Sequence, residues 1–533
     1  MIENVNVRVT PAAATDIREL KRCAASALGI SMASVNDVRV VRRSIDARKR
    51  NIQIDIVLRC AVGDDREVGA CFTPVEFSRV ADGAPVLLVV GAGPAGLFCA
   101  LEAIRHGIRP IVLERGRDVD SRRVDLAEIS RSKRINPESN YCFGEGGAGA
   151  YSDGKLYTRS RKRGNIDEVL ALFVQHGASP DILVDAHPHI GSDLLPHVIR
   201  NIRNQILECG GEVRFMTTAR SLVIEDGVAK GVRTDTGEIR ADGVVLATGH
   251  SAHDVFRSLH ASDVPLEAKG IAMGVRLEHP QHLIDCIRYH SEKGRGRYLP
   301  AAEYSFVTQS DGRGVYSFCM CPGGVVVPAG SSDGELVVNG MSASARAGRW
   351  ANSGMVVEIH PGDFPEYSGH GPLEMLELQE SLERKMFQAA GNTIVAPAQR
   401  MTDFVNGHMS KSLPASSYAP GIQAGDFNTL LPHFISARLR DGFMEFGRKS
   451  KGFLSDEAIL IGLESRTSSP VRITRDSVTL QSTGVAGLFP AGEGAGYAGG
   501  IVSAAIDGMR CADAFAVYIG NTENTGITDQ LEK

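Results

Sequence analysis

Gly91, Gly93 and Gly96 stand at the spacing that lets a polypeptide backbone hold a pyrophosphate, and Glu114 follows 18 residues after the last of them. Gly91 permits a tight turn. Gly93 lacks a Cβ, so a phosphate can approach its backbone, and Gly96 lets a helix pack close against a strand. An acid at that distance accepts hydrogen bonds from ribose hydroxyls. The chemistry is dinucleotide binding, and three elements must position it. Val86-Leu87-Leu88-Val89-Val90 reads as a buried parallel strand, Leu97 to His106 as a packed helix stopped by Gly107, and Ile111-Val112-Leu113 as a second strand. Pro94 and Ala95 fall in the first helical turn, whose free N–H groups and positive dipole end face the phosphates. The full strand, helix, strand and acid context separates this unit from a lone glycine turn. Arg115 and Ala219 are further cofactor-side candidates.

Two distant stretches share the same logic. Gly243-Val244-Val245-Leu246-Ala247 is a buried strand running into the Thr248-Gly249 turn. Gly487-Leu488-Phe489-Pro490-Ala491-Gly492-Glu493 leads through Gly494 to Gly500 into an apolar helix over 501–514. Between them and the first motif lies the loop Gly144 to Gly149, with Gly146 and Gly147 as candidates to pass near a bound cofactor.

The three separated stretches together resemble the FAD-binding set of the two-dinucleotide-binding-domain flavoproteins. That resemblance implies a middle stretch beside the FAD. It also implies an acid on the ribityl chain, here Glu493 where aspartate is commoner, and a final helix starting near Gly499, Gly500 and Ile501 whose N-terminus points at the flavin ring. Asn140 to Gly149, Ser152 to Leu156, Pro188 to Gly191, Gly274 to Pro280, Phe318 to Gly324 and Gly492 to Gly500 are more narrowly similar to a poorly characterised family of bacterial FAD-dependent dehydrogenases. The resemblance covers nearly the whole chain. It implies non-covalent FAD, with NADH or NADPH open as an external electron donor, and it leaves the substrate unspecified.

Histidines are natural acid–base candidates because their ordinary pKa lies near 6.5. His187, His189, His250, His253 and His279 all fall near the motifs, and no spacing singles one out. His189 is the expected acid–base residue and Arg276 the expected anion partner of the substrate. Lys155, Arg159, Arg161, Lys162 and Arg163 form a basic stretch that fits either anion attraction or plain solvation. The ten cysteines are scattered, as expected of reduced thiols. Cys319-Met320-Cys321 is the closest pair. It has no zinc spacing, so a buried structural role is expected, and no metal site is. No CxxC or CxxxxC follows the first glycine motif, which argues against a disulfide reductase. No second complete glycine motif appears, which argues against a dedicated NAD(P)H domain.

The chain has 533 residues, with 58 Lys plus Arg against 63 Asp plus Glu and a net charge of −5. That balance offers no general attraction to nucleic acid or an anionic membrane. No basic-then-apolar leader and no run of roughly 18 apolar residues occurs, so a cytoplasmic protein is expected. The pattern divides the chain into four parts. Residues 1–80 read as a small ferredoxin-like α+β module. Residues 81–265 and 481–520 read as a discontinuous Rossmann-like α/β FAD-binding domain, 266–480 as an inserted α+β substrate or cap domain, and 521–533 as a polar tail. The basic segment Arg42 to Arg50 reads as a solvated hairpin, and residues 121–165 as a long polar loop. The expected function is an FAD-dependent oxidoreductase passing hydride between a small molecule and flavin N5. A flavin monooxygenase, an RNA-modifying flavoprotein, and a regulatory or assembly protein docking through the N-terminal module are the alternatives.

Overall fold

The computed structural model describes residues 1–157 and 164–520. Arg159, Arg161, Lys162, Arg163 and the 521–533 tail therefore lie outside the described residues.

The apolar runs that read as buried strands come together in one five-stranded parallel sheet. Its order is Leu488–Pro490, Gly243–Leu246, Val86–Val90, Arg109–Leu113, Glu212–Arg214. Leu246 pairs with both Val90 and Pro490. Strands of sequence positions far apart thus end side by side at one edge, the place where an open parallel sheet binds ligands. Both faces of such a sheet must be covered, which is why Val86–Val90, Gly243–Leu246 and Leu488–Pro490 carry no charged side chain. The helices Pro94–Arg105 and Ile501–Tyr518 cover one face, packing against each other so closely that a Cβ at Gly508 would lie 1.9 Å from the Ala95 carbonyl oxygen. A three-stranded antiparallel meander, Ala219–Glu225, Val228–Thr234 and Gly237–Arg240, covers part of the other, with its turns at Asp226-Gly227 and Asp235-Thr236.

A short antiparallel ladder, Leu266–Ala268 against Val471–Ile473, leads into an eight-stranded mixed sheet. Val315 and Val325 lie toward the two ends of one long strand, Arg313–Pro328, interrupted by register shifts at Phe318/Cys321 and Cys321/Gly324. The helices Glu374–Ala389 and His433–Lys449 pack on this sheet and bury Leu378, Leu382, Leu439 and Phe443.

Three expectations change. The first 62 residues form a β-α-β-β unit of three strands, ordered Ile2–Val9, Gln53–Val62, Val35–Asp46. This is a ferredoxin-like arrangement lacking its second helix and fourth strand. Residues 63–69 still bond to this unit, through Asn36, Asp37 and Arg39, whereas Val75 and Val80 lie on the parallel-sheet unit: Gln175 brackets Val75, and the Val80 amide donates to the Cys209 carbonyl at 2.9 Å. The basic hairpin is also not wholly solvated. Arg43 pairs with Asp185 at 2.7 Å, and its backbone bonds to Val184 and Ala186. The third change is in the polar stretch after residue 120. Val119–Ser132 is a helix capped by Asp118, hidden in the sequence because its apolar residues do not form a clear stripe.

Candidate functional site

The edge where Val90, Leu246 and Pro490 end opens into a cleft of about 360 Å³. Gly91, Gly93, Pro94, Ala95, Glu114, Arg115, Gly147, Ala219, Thr248, Gly249, Glu493, Gly499, Gly500 and Ile501 line it. Gly96, Gly146 and Gly492 sit just behind the wall, where they serve packing. A Cβ at Gly96 would lie 1.9 Å from the Gly91 carbonyl oxygen, one at Gly146 2.4 Å from Ile199, and one at Gly492 2.9 Å from the Ala95 methyl.

Gly93 differs in kind. Its φ is an ordinary −79°, and a Cβ there would meet no protein atom nearer than 3.9 Å. Nothing in the protein's own packing asks for glycine; the open space in front of it does. Cβ atoms at Gly249, Gly499 and Gly500 would likewise meet no protein atom within 4 Å. The cleft is thus shaped by missing side chains on three separate loops, at the N-termini of two helices. These residues fit an extended dinucleotide with a diphosphate near Gly93 and a ring system near Ile501.

Glu114 carries more than the expected ribose contact. Its Oε2 accepts from the Ala92 amide at 3.0 Å, and its Oε1 accepts from Gly116 at 3.0 Å and Gly144 at 2.9 Å. A carboxylate offers about four lone-pair sites, so the side chain ties the glycine turn to the 144–149 loop and keeps capacity for one hydroxyl. Beside it Arg115 stacks on Phe143, 4.4 Å from its centroid, and pairs with Asp254 and Glu138.

At the other end of the cleft stand Ser152, Asp153, Lys155, Tyr157, Phe318, Cys319, Asn339, Arg466 and Thr467. Asp153 is buried against Arg346 and lies 3.6 Å from Lys155 Nζ. Arg466 is buried between Glu383 and Glu335. Glu493 Oε2 lies 3.9 Å from His250 Nε2. Burial, then charge on Cys319, pushes the Glu493 carboxyl up to about 7, with Lys269 pulling it down. Burial and the nearby cations Arg466 and Lys269 push His250 down to about 3, so it is a neutral imidazole.

Neither expected catalytic residue lines the cleft. His189 Nε2 faces the Ser344 carbonyl at 3.0 Å, and its backbone bridges Lys155. It braces the segment that presents Asp153 and Lys155. Arg276 is 0% exposed and spends its guanidinium on Asn352, Glu464, the Cys319 carbonyl and Cys321. A substrate anion cannot reach it. Sequence reading missed Arg466 and Arg122, since an isolated arginine looks like any solvated cation. Among the described residues Glu102, His106 and Asp513 hold ligand-type atoms within 4.8 Å of one another. Arg105 pairs with Glu102 there, and none of the three lines the cleft.

Residues 87–126 match an FAD binding domain, residues 270–467 match a family described as FAD-dependent protein, C-terminal domain-like, and residues 1–62 match a domain of unknown function. An uncharacterized protein of Clostridium beijerinckii is 39% identical over 531 residues, covering 96% of this chain and 97% of the relative. This chain belongs to that protein's family. FAD is the cofactor, and the protein is a flavoenzyme. Among solved structures, the tetracycline destructase Tet(51) is 12% identical over 83% of each chain with a TM-score of 0.34. A geranylgeranyl bacteriochlorophyll reductase-like protein of Thermoplasma acidophilum is 14% identical over 83% of this chain and 80% of its own, with a TM-score of 0.35. Scores that low carry no weight for the site or the reaction. No helix among the described residues is long and apolar enough to cross a membrane.

Proposed function

We propose that this flavoenzyme is a cytoplasmic oxidoreductase of the dehydrogenase or reductase type, passing a hydride between a small molecule and flavin N5. The carrying observation is that one cleft is walled both by the helix start Gly499–Ile501 and by Phe318, Cys319 and Asn339 of the eight-stranded sheet. Bound FAD supplies the two-electron chemistry. The backbone around Gly93 to Ala95 orients the diphosphate, and Glu114 receives a ribose hydroxyl on its remaining lone pair. The N-terminus of the 501–518 helix stabilises negative charge placed before it, by about 0.3–1 kcal/mol at an exposed site and more when buried. The substrate lies between the two units, against Lys155, Asp153 and Arg466, which suits a polar or anionic molecule. Glu493, with a carboxyl near neutrality, is the wall residue suited to hold or release a proton at physiological pH.

The test is purification, FAD quantification, and anaerobic reduction by NADH and by NADPH, followed by oxidants of several classes. The expected result is a yellow protein bleached by a nicotinamide and recoloured by a small-molecule oxidant. A colourless protein that stays apo in excess FAD overturns the reading.

A further inference from the structure

Cys319 and Cys321 lie on the long strand Arg313–Pro328 where its pairing with Trp350–Ile359 slips between Phe318 and Cys321. At the slip Cys319 adopts a φ of 46°, in the left-handed region that side chains seldom take. Backbone outliers of this kind gather at functional sites. The kink faces Cys319 into the cofactor cleft, while Cys321 sits fully buried behind it. The Cys321 thiol donates to the Cys319 carbonyl at 3.4 Å.

Two cations stand beside the pair, Arg276 and Lys155, each next to an acid, Glu464 and Asp153. Arg276 Nη2 donates to the Cys319 carbonyl at 2.7 Å and to Cys321 Sγ at 3.3 Å. Lys155 lines the same cleft. The Cys321 thiol, with Lys155 and Arg276, holds Cys319 below the ordinary thiol range, and Cys321 is raised. One sulfur is therefore the thiolate and the other keeps the proton, the division of labour a redox dithiol needs. The absence of a cysteine pair after the first glycine motif does not exclude such chemistry, because this pair arrives from the eight-stranded sheet.

We propose that Cys319 and Cys321 are a redox-active dithiol that exchanges an electron pair with the flavin of the same cleft. This rests on the flavoenzyme reading above. In the oxidising direction the Cys319 thiolate and the Cys321 thiol together lose one proton and two electrons, and one S–S bond forms between them. The electron pair and that proton pass to oxidised flavin, giving the reduced anion. The reverse step reopens the disulfide. The protein then stores two electron pairs rather than one.

The test uses the full-length, FAD-loaded protein, reoxidised in air and titrated anaerobically with dithionite. The expected uptake is four electrons per flavin. Acid quenching, alkylation and peptide mapping of the reoxidised wild type should find Cys319 linked to Cys321. The variants C319S and C321S should take up two electrons per flavin. If either fails to hold FAD, the wild-type count and map still decide. Uptake of two electrons by FAD-loaded wild type overturns the dithiol and leaves the flavoenzyme reading standing. So does a linkage mapped elsewhere, for example through Cys142, which also lines the cleft. Failure to bind FAD at all would count against that earlier reading instead.

Discussion

Arg122 Nη1 donates to the Gly147 carbonyl at 2.8 Å, 25 residues away in sequence. The same guanidinium bonds the carbonyls of Asn140, Gly144 and Glu145. One fully buried arginine from a helix thus holds the glycine-rich loop in the shape that makes one wall of the cofactor cleft. Replacing it with methionine leaves several buried carbonyls without a donor, each costing about 1–3 kcal/mol. R122M is expected to lose about 3–4 kcal/mol of stability and most of its FAD affinity. Urea denaturation and FAD titration check both.

Two glycines of one motif should fail in different ways. G93V places a branched side chain in open cleft space, so it should fold normally and bind FAD about 100-fold more weakly, ~2.8 kcal/mol. G96A drives a methyl onto the Gly91 carbonyl, a contact of 1.9 Å that the backbone must move to relieve. It should cost about 3 kcal/mol of stability even without FAD. Thermal melts of apo and loaded protein separate the two. Normal FAD occupancy in G93V would mean the diphosphate lies elsewhere.

Glu493 gives a signed pH dependence. Its carboxyl is raised from 4.5 to about 7 in the fold, chiefly by burial. Between those values the folded apo-protein binds a proton that the unfolded chain has lost. This group therefore subtracts stability as pH rises through that window. E493Q removes the term. The stability difference should move in favour of E493Q from about pH 4.5 to about pH 7 and be level outside it. A difference that is flat, or that runs the other way, rejects the assignment.

Arg276 belongs to the interior. Its ion pair with Glu464 at 3.2 Å is completely buried. Burial pushes the Glu464 carboxyl up to about 7, against the pull of Arg276. R276M strands that acid, so a loss of about 3–5 kcal/mol is expected, read by urea denaturation. A change confined to substrate KM would instead restore Arg276 as an anion partner.

The N-terminal boundary can be tested by cutting. Removing residues 1–62 takes away one self-contained sheet, and FAD binding should survive. Removing residues 1–80 also deletes the Val75–Gln175 bonds and the buried Val80. That longer cut should lower the melting temperature of the remainder by about 2–4 °C more.

The FAD-binding elements were legible in the linear chain because each is local. A run such as Val86 to Val90, a glycine turn and an apolar helix declare themselves by period and by glycine, whatever the rest of the molecule does. Glu114 followed from its distance to the first glycine turn, and Glu493 from the resemblance to the flavoproteins. The packing of the two units was not local. That His189 faces Ser344, that Arg276 pairs with Glu464, and that Cys319 turns toward the cofactor all depend on partners at least 140 residues apart or on a register slip between strands. Charge and hydrogen bonding act through space, so the sequence names the groups capable of chemistry, and only the packed sheets decide which of them meet.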